Sequence, residues 1–530
     1  MSHSNTSTTK FTVTTPLYYV NGLPHIGSAY TTMAADAIAR FERLRGKSVM
    51  FITGTDEHGQ KIQRTAMENG LEPQVHCDKV AAGFDALWQK LNIQYDCFSR
   101  TTSERHAAIV KEFFGRVSDK GDIYLGEQKG WYCVSCEEFK EERDLLEGNR
   151  CPLHPNKEAE WRDEQNYFFR LSKYQTQLEE LYQKRPDFIQ PESRRNEVLN
   201  FVSQGLQDFS ISRVNMDWGF PVPIDPNHTI YVWFDALLGY VTPLLEPDSE
   251  PTLDNALKSW WPIQLHLIGK DILRFHTVYW PAMLMSAELP VPGRVFGHGF
   301  LTKDGQKMGK SLGNTLDPVE LVNRYGADAI RYYFLKEIEF GKDGDFNETR
   351  FIDILNADLA NDLGNLLNRT LGMAHKYCQG NVPNITDEDI SADNPLKEIG
   401  LELGDRVASA YKALAFSVAC KEIFSLIRAS NKFLADRAPW RLYKEGKQQE
   451  VENVLYTVLE SARLAAYLLA PIIPSISTDI YQQLGFSIDF NEKNSIQDSL
   501  SYSNHAVWGT LSSNQSLSQP KPVFARLEQR

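Results

Sequence analysis

Three groups of residues in this sequence have the types and spacing that chemistry requires. The first is Pro24-His25-Ile26-Gly27, which closes a β-branched, aromatic run and stands directly before a helical pattern. The free N–H groups and positive dipole end of a helix N-terminus favour phosphate. Gly27 lets a nucleotide approach the backbone, and His25 could hydrogen-bond a phosphate as charge builds in a displacement. On these four residues alone, a surface loop with an incidental histidine is the better reading. The second group is Lys307-Met308-Gly309-Lys310-Ser311, after a turn at Lys303-Asp304-Gly305. Two lysines in a flexible loop can fold over a polyphosphate as mobile point charges, and a solvated lysine loop is the plain alternative. Gly309-Lys310-Ser311 also matches the end of a phosphate-cradling P-loop. That motif requires glycine at 304, where Asp304 stands, and a helix at once, where Leu312 to Pro318 continues as loop. The P-loop is excluded. The third group is Cys133-Val134-Ser135-Cys136 followed, after a 14-residue gap, by Cys151-Pro152-Leu153-His154. Three thiolates and one imidazole at this spacing predict a tetrahedral zinc site. With four ligands there is no open position for water, so one structural zinc per chain is expected.

The elements that must position these groups follow from periodicity. Phe11–Tyr19 reads as a strand, and Ser28–Arg45 as a helix with Met33, Ala34, Ile38, Phe41 and Leu44 on one face. Lys47–Thr53 reads as a second strand. This βαβ order implies a parallel sheet with ligands at the carboxyl ends of its strands. The rhythm returns in a strand at Leu265–Ile268, a helix over Ile272–Ala287 and a strand over Arg294–Leu301. The expected fold is therefore an α/β Rossmann-type parallel-sheet domain over 10–120 and 225–345, split by an insertion over 121–224 that carries the zinc knuckle. An α-helical bundle is expected over 346–485. A polar tail fills 486–530; its Ser/Asn/Gln-rich part, Asn491–Gln519, is expected to be loosely ordered, with Val523–Leu527 docking as a short strand.

Composition bounds the answer. A chain of 530 residues suggests three or four units, and 42% hydrophobic with 24% charged residues describes a soluble globular protein. The best apolar stretch, Leu464–Ile476, is broken by Pro471 and Pro474, so no membrane span is expected. The polar first ten residues lack a secretion signal, which predicts a cytoplasmic protein. A net charge of −13 argues against non-specific nucleic-acid binding but leaves room for a local basic surface. Seven cysteines do not make a disulfide framework. Cys77, Cys97, Cys378 and Cys420 read as small apolar side chains, and His76 with Cys77 as helix packing.

The histidine signature at the first βα turn, paired with a lysine loop after the last strand of a split αβ domain, resembles the class I aminoacyl-tRNA synthetases. Further blocks narrow the resemblance to the methionyl-tRNA synthetase family: Thr14-Thr15-Pro16-Leu17-Tyr18-Tyr19-Val20-Asn21, Thr53-Gly54-Thr55-Asp56-Glu57-His58-Gly59, and Asp208-Phe209-Ser210-Ile211-Ser212-Arg213 running into Trp218-Gly219-Phe220-Pro221-Val222-Pro223. Tyr231-Val232-Trp233-Phe234-Asp235-Ala236 and His266-Leu267-Ile268-Gly269-Lys270-Asp271 complete the set. The resemblance covers residues 10 to 480.

It implies ATP-driven activation of L-methionine to methionyl-adenylate, then transfer to the 3′ end of methionine tRNA, the initiator included. By family likeness His25, Lys307 and Lys310 are catalytic: His25 steadies the α-phosphate, and the lysines hold departing pyrophosphate with Mg²⁺ on the phosphates. Gly27, Ser28, Gly269 and Asp271 join them in binding ATP. Leu17, Tyr19, Asp56, Trp233, Ala236, Tyr240, Phe275 and His276 match the methionine pocket, with Asp56 on the ammonium and Tyr240 plus the Leu17 amide on the thioether; ordinary core packing is the alternative for the aromatics. Asn365, Arg369 and Trp440 match positions that read the anticodon by stacking and base-edge hydrogen bonds. Two residues depart from the family pattern. Ser28 stands where a second histidine is usual, as a residue that could cap the helix, and Gly309 stands where serine is usual. No extra C-terminal dimerisation domain follows the bundle, which predicts a monomer.

Overall fold

The computed structural model describes residues 9–140, 142–152, 154–214, 216–308, 314–385, 394–493 and 500–528. Eight strands matter for the site: β1 (Lys10–Tyr19), β2 (Ser48–Asp56), β3 (Cys97–Arg100), β4 (Ile123–Cys133), β5 (Glu160–Phe169), β6 (Ile189–Gln190), β7 (Leu265–Gly269) and β8 (Arg294–His298). A six-stranded sheet has the order β3-β2-β1-β7-β8-β6, and every neighbouring pair in it is parallel. The chain builds outward from β1 in one direction and from β7 in the other. A crevice therefore opens between the carboxyl ends of β1 and β7, where such sheets bind ligands.

Local chemistry explains the two central strands. Val13, Leu265 and Leu267 are buried on all sides, as strands covered by helices on both faces require. Pro16 cannot donate to the ladder, and the register of β1 against β2 shifts between Thr14 and Leu17. That irregularity turns Leu17 and Tyr19 toward the crevice, a common use of a bulge. The helix α1 (Ile26–Leu44) follows β1 and is almost wholly buried.

The structure departs from the sequence reading in three places. The strand expected over Arg294–Leu301 ends at His298, and Leu301–Lys303 leaves the sheet to pair with Gln306–Lys307 and Gly344–Phe346. The Asp304-Gly305 turn between them has positive φ at both residues (52° and 74°), as a two-residue hairpin demands. The helix expected over Ile272–Ala287 is broken into a π-helical turn, Phe275–Tyr279, and an α-helix, Trp280–Ser286. Strand β6, from the segment read as insertion, joins the main sheet beside β8. The rest of that segment holds the long antiparallel pair β4–β5 and the short strand Glu138–Lys140 beside β4.

Beyond residue 345 the described residues are mainly helical, with long helices Asn365–Tyr377, Pro395–Lys412, Phe416–Arg437 and Gln448–Leu469. This part is not separate from the sheet. Asp36 in the middle of α1 pairs with Arg40 (2.6 Å) and with Arg331 (2.6 Å), all three fully or almost fully buried. Arg331 also donates to the carbonyls of Pro471 (2.9 Å) and Ile472 (2.8 Å), and Arg40 to that of Phe490 (2.7 Å).

The described residues of the tail, 486–493 and 500–528, pack more closely than its composition suggests. Leu500, Leu511 and Leu517 are buried. A buried Glu460–Arg463 pair (2.7 Å) accepts hydrogen bonds from the backbone of Gly509, Thr510 and Leu511 and donates to the carbonyls of His505 and Val507. Residues 523–527 dock without forming a strand: Leu527 exchanges two hydrogen bonds with the Asn356 amide.

Candidate active site

The crevice at the ends of β1 and β7 deepens into a cavity of about 420 Å³. At one end lies the start of α1. His25 is its N-cap: Nδ1 accepts from the backbone N–H of Gly27 (3.1 Å) and of Ser28 (3.3 Å). Backbone amides only donate, so Nδ1 carries no proton and the neutral ring bears its hydrogen on Nε2. That nitrogen lies 3.4 Å from the Ser28 hydroxyl and the ring lines the cavity. A Cβ at Gly27 would stand 2.9 Å from the His25 ring, so glycine there makes room for the cap. The capping role foreseen for Ser28 is thus filled by His25, and Ser28 is buried in the first turn.

Gly269 and Asp271, at the end of β7, face the same cavity. The Asp271 carboxylate folds back over Gly269, where a Cβ would come within 2.4 Å of it. His298 at the end of β8 also lines the cavity, with Nε2 2.6 Å from the Thr31 hydroxyl on α1. Burial lowers its pKa to about 4, so it is a neutral group beside the phosphate-competent helix start.

At the other end are Leu17, Tyr19, Asp56, Trp233 and Phe275. Trp233 and Phe275 stack face to face, centroids 3.9 Å apart and 7° from parallel. Ala236, Tyr240 and His276 are buried behind this lining. His276 Nδ1 donates to the Ile272 carbonyl (3.0 Å), which leaves Nε2 to accept from the Tyr240 hydroxyl (2.8 Å). Burial holds His276 down at about 4, so this pair is neutral and its hydrogen positions are locked. With both hydrogens used inside the pair, this floor offers no donor of its own and suits an apolar side chain.

Asp56 has the opposite character. It is 2% exposed and its Oδ1 has no hydrogen-bond partner. Burial, reinforced by Asp235, Glu137 and Glu57, pushes its pKa well above the carboxylate range. An orphaned buried carboxylate at a cavity wall calls for a cation from outside. Asp235 nearby is satisfied: His58 and His106 each approach it at 2.6 Å, and although burial opposes ionisation, the two imidazoles bring its pKa down to about 2.

Lys307 ends the short hairpin strand, paired through its backbone with Thr302. Its side chain, and all of Gly309, Lys310 and Ser311, lie outside the described residues. Asn365 and Arg369 are exposed one turn apart on helix Asn365–Tyr377, away from this cavity, and Trp440 is half-buried on helix Pro439–Lys444. Sequence reasoning missed Lys61, Glu137 and His298 in the cavity wall. Of these only His298, inside a Gly297-His298-Gly299 triplet, carried a local signal.

Cys133, Cys136, Cys151 and His154 converge, with ligand atoms all within 4.8 Å of one another. The Cys136 and Cys151 sulfurs are 3.5 Å apart, and Cys136 Sγ is 3.2 Å from His154 Nδ1. A disulfide would need about 2.05 Å. Zinc at about 2.3 Å from sulfur sets a tetrahedral edge near 3.8 Å, so the donors fit a metal ion and not a bond to one another. Cys136 and His154 also reach the cavity wall. Among the other cysteines, Cys77 and Cys420 are buried, and Cys97 and Cys378 partly so.

Comparison with known proteins agrees with this geometry. The family described as class I tRNA synthetases (M) matches residues 11–159 and 146–371, and the anticodon-binding domain of tRNA ligases matches 402–518. The methionine–tRNA ligase of a Nostoc species is 72% identical over 100% of this chain and 99% of its own length. The chloroplastic/mitochondrial methionine–tRNA ligase of Arabidopsis thaliana is 53% identical over 98% of this chain and 83% of its own. Among solved structures, Mycobacterium tuberculosis methionyl-tRNA synthetase in complex with methionyl-adenylate superposes with a TM-score of 0.90 at 41% identity, covering 98% of this chain and 100% of that one. Among the described residues no helix is long and apolar enough to cross a membrane. A match of this depth, running through sheet, insertion and helices alike, means that the chain belongs to the methionine–tRNA ligases, class I synthetases that activate methionine and attach it to tRNA.

Proposed function

We propose that one cavity performs the activation with the residues named above. The single observation that carries this reading is the unpartnered Asp56 oxygen, which sits in the same cavity as the His25-capped start of α1. The α-ammonium of methionine pairs with Asp56, and its side chain lies against Leu17, Tyr19, Trp233 and Phe275, with Ala236, Tyr240 and His276 behind. The methionine carboxylate attacks the α-phosphorus of ATP, and pyrophosphate leaves. No protein nucleophile or base is needed; alignment and charge stabilisation suffice. The His25 Nε2–H donates to an α-phosphate oxygen as charge grows, Gly27 and Ser28 present the helix start, and Gly269 and Asp271 hold the nucleoside. Lys307 and Lys310 follow the leaving pyrophosphate, and ATP enters as its Mg²⁺ complex.

Cys133, Cys136, Cys151 and His154 would hold one Zn²⁺. All four positions are protein ligands, so the ion supplies cross-linking of the knuckle and no chemistry. We take the enzyme to act as a monomer in the cytoplasm. Asn365, Arg369 and Trp440 read the anticodon of methionine tRNAs, the initiator included. The decisive test is amino-acid-dependent ATP–pyrophosphate exchange with a panel of apolar amino acids. Methionine must support exchange far better than isoleucine, valine or leucine; equal rates with another amino acid would displace this reading.

Trp440→Ala separates charging from activation. Loss of one stacked base costs about 1–3 kcal/mol, or roughly 5- to 150-fold in tRNA charging efficiency, while exchange without tRNA stays at the parent value. A Trp440 that serves only packing would instead lower the melting temperature and both activities together.

A further inference from the structure

Glu137 directly follows a metal-site cysteine, yet its carboxylate leaves the knuckle and ends in the amino-acid cavity. Its backbone is left-handed (φ 54°), which is uncommon for a residue with a Cβ. The turn is closed by the Cys136 N–H donating to the Cys133 carbonyl (3.1 Å). This turn drives the side chain inward, where only 3% of the residue is exposed. There Oε1 accepts from the backbone N–H of Lys61 (2.9 Å), and Oε2 accepts from the Tyr19 hydroxyl. The Lys61 ammonium donates to the Ser135 carbonyl (3.0 Å) and lies 5.4 Å from the centre of the Tyr19 ring. A Cβ on Gly59 would come within 2.5 Å of the same carboxylate. Two carboxylates thus face one cavity with different commitments. Both Glu137 oxygens are bound by the protein, whereas one Asp56 oxygen is not.

We infer that Glu137 is a positioning residue for methionine activation: it fixes the Tyr19 ring and the turn that leads into Lys61, and does not itself touch the substrate. This rests on the reading of Tyr19 as a wall of the methionine pocket. The role depends on reach across the cavity, not on charge, and two conservative variants separate these. Glu137→Gln keeps the length. Its amide oxygen can accept from the Lys61 N–H, and its NH₂ can donate to the Tyr19 oxygen, because the Tyr19 hydroxyl has a second acceptor in the His58 carbonyl at 3.3 Å. Glu137→Asp keeps the charge but is one methylene short.

The experiment is steady-state ATP–pyrophosphate exchange on the full chain, with melting temperatures on the same preparations. Glu137→Asp should raise the KM for methionine about 5- to 100-fold, the cost of leaving a buried donor without its acceptor. Its KM for ATP and its kcat should stay within about threefold of the parent, and Glu137→Gln should match the parent in all three. A Gln variant as impaired as Asp, or more so, would overturn the inference, because the charge would then be what matters. Equal loss in both KM values and kcat alongside a fallen melting temperature would also overturn it, leaving a purely structural glutamate. If the parent itself fails to use methionine, the pocket reading falls; if the parent is active and the variants rank wrongly, only the role of Glu137 falls.

Discussion

His25→Asn will fold as stably as the parent and form methionyl-adenylate about 100- to 1,000-fold more slowly. The expectation separates two tasks that one imidazole performs. Its Nδ1 caps α1 by accepting from Gly27 and Ser28, and asparagine is among the best residues for that position. Its Nε2–H faces the cavity, and the shorter asparagine side chain cannot bring a donor to the same place. Only a contact that strengthens in the transition state lowers kcat without disturbing ground-state binding, so the KM for methionine should barely move. His25→Ala, by contrast, should lose the cap as well, with about 0.5–2 kcal/mol of stability in addition to the rate. Single-turnover adenylate formation and thermal unfolding on both variants decide the matter. If the asparagine variant reacts within about threefold of the parent, well short of the cost of one lost transition-state donor, then capping is all that His25 does.

Asp56→Asn will bind methionine roughly 150-fold more weakly, about 3 kcal/mol for the loss of one buried charge partner, and will melt at a higher temperature than the parent. The gain follows from the state of the empty pocket. A buried carboxylate with an orphaned oxygen has its folded-state pKa raised far above the unfolded value. Such a group costs no ionisation energy below its unfolded pKa. As pH rises from there toward the folded pKa, the unfolded chain releases the proton first and stability falls. Replacing Asp56 with a neutral amide removes that loss, so the variant's advantage should grow as pH rises above the ordinary carboxylate range and vanish as pH falls into it. Calorimetric titration with methionine and melting curves across pH test both halves. Weak binding without the stability gain would show that another group already compensates the Asp56 charge.

The sheet was legible because periodicity and the βαβ order are local signals, and so was the knuckle, because metal-ligand spacing is written along the chain. Helix α1 was read from Ser28 but begins at Ile26; sequence rules look for Ser, Thr, Asn or Asp as caps, and here a histidine ring does the capping. Strand β6 has two residues, too few to show any period. The contact between Tyr19 and Glu137 joins residues 118 apart in sequence, and nothing local in either marks it. The described part of the tail was misread for a different reason. Its order comes from main-chain hydrogen bonds to a buried Glu460–Arg463 pair, and composition records only side chains.

The Asp36–Arg40–Arg331 cluster limits how this enzyme can be cut or recombined. A fragment ending near residue 345 would keep the whole parallel sheet, Asp36 and both arginines. It would lose the carbonyls of Phe490, Pro471 and Ile472, keeping of the guanidinium acceptors only Asp36, Asn92 and Leu91. The cut would also bare the apolar face around the cluster, with Ile330, Phe334 and Leu335 in the core shared with the helices, and exposed apolar surface of that kind drives aggregation. Domain-swapped chimaeras and split reporters that treat the catalytic half as a free-standing part should therefore yield insoluble protein unless those carbonyls come with it. The inheritable unit of this fold is wider than its catalytic topology, because its seam runs through the interior of a helix and not through a linker.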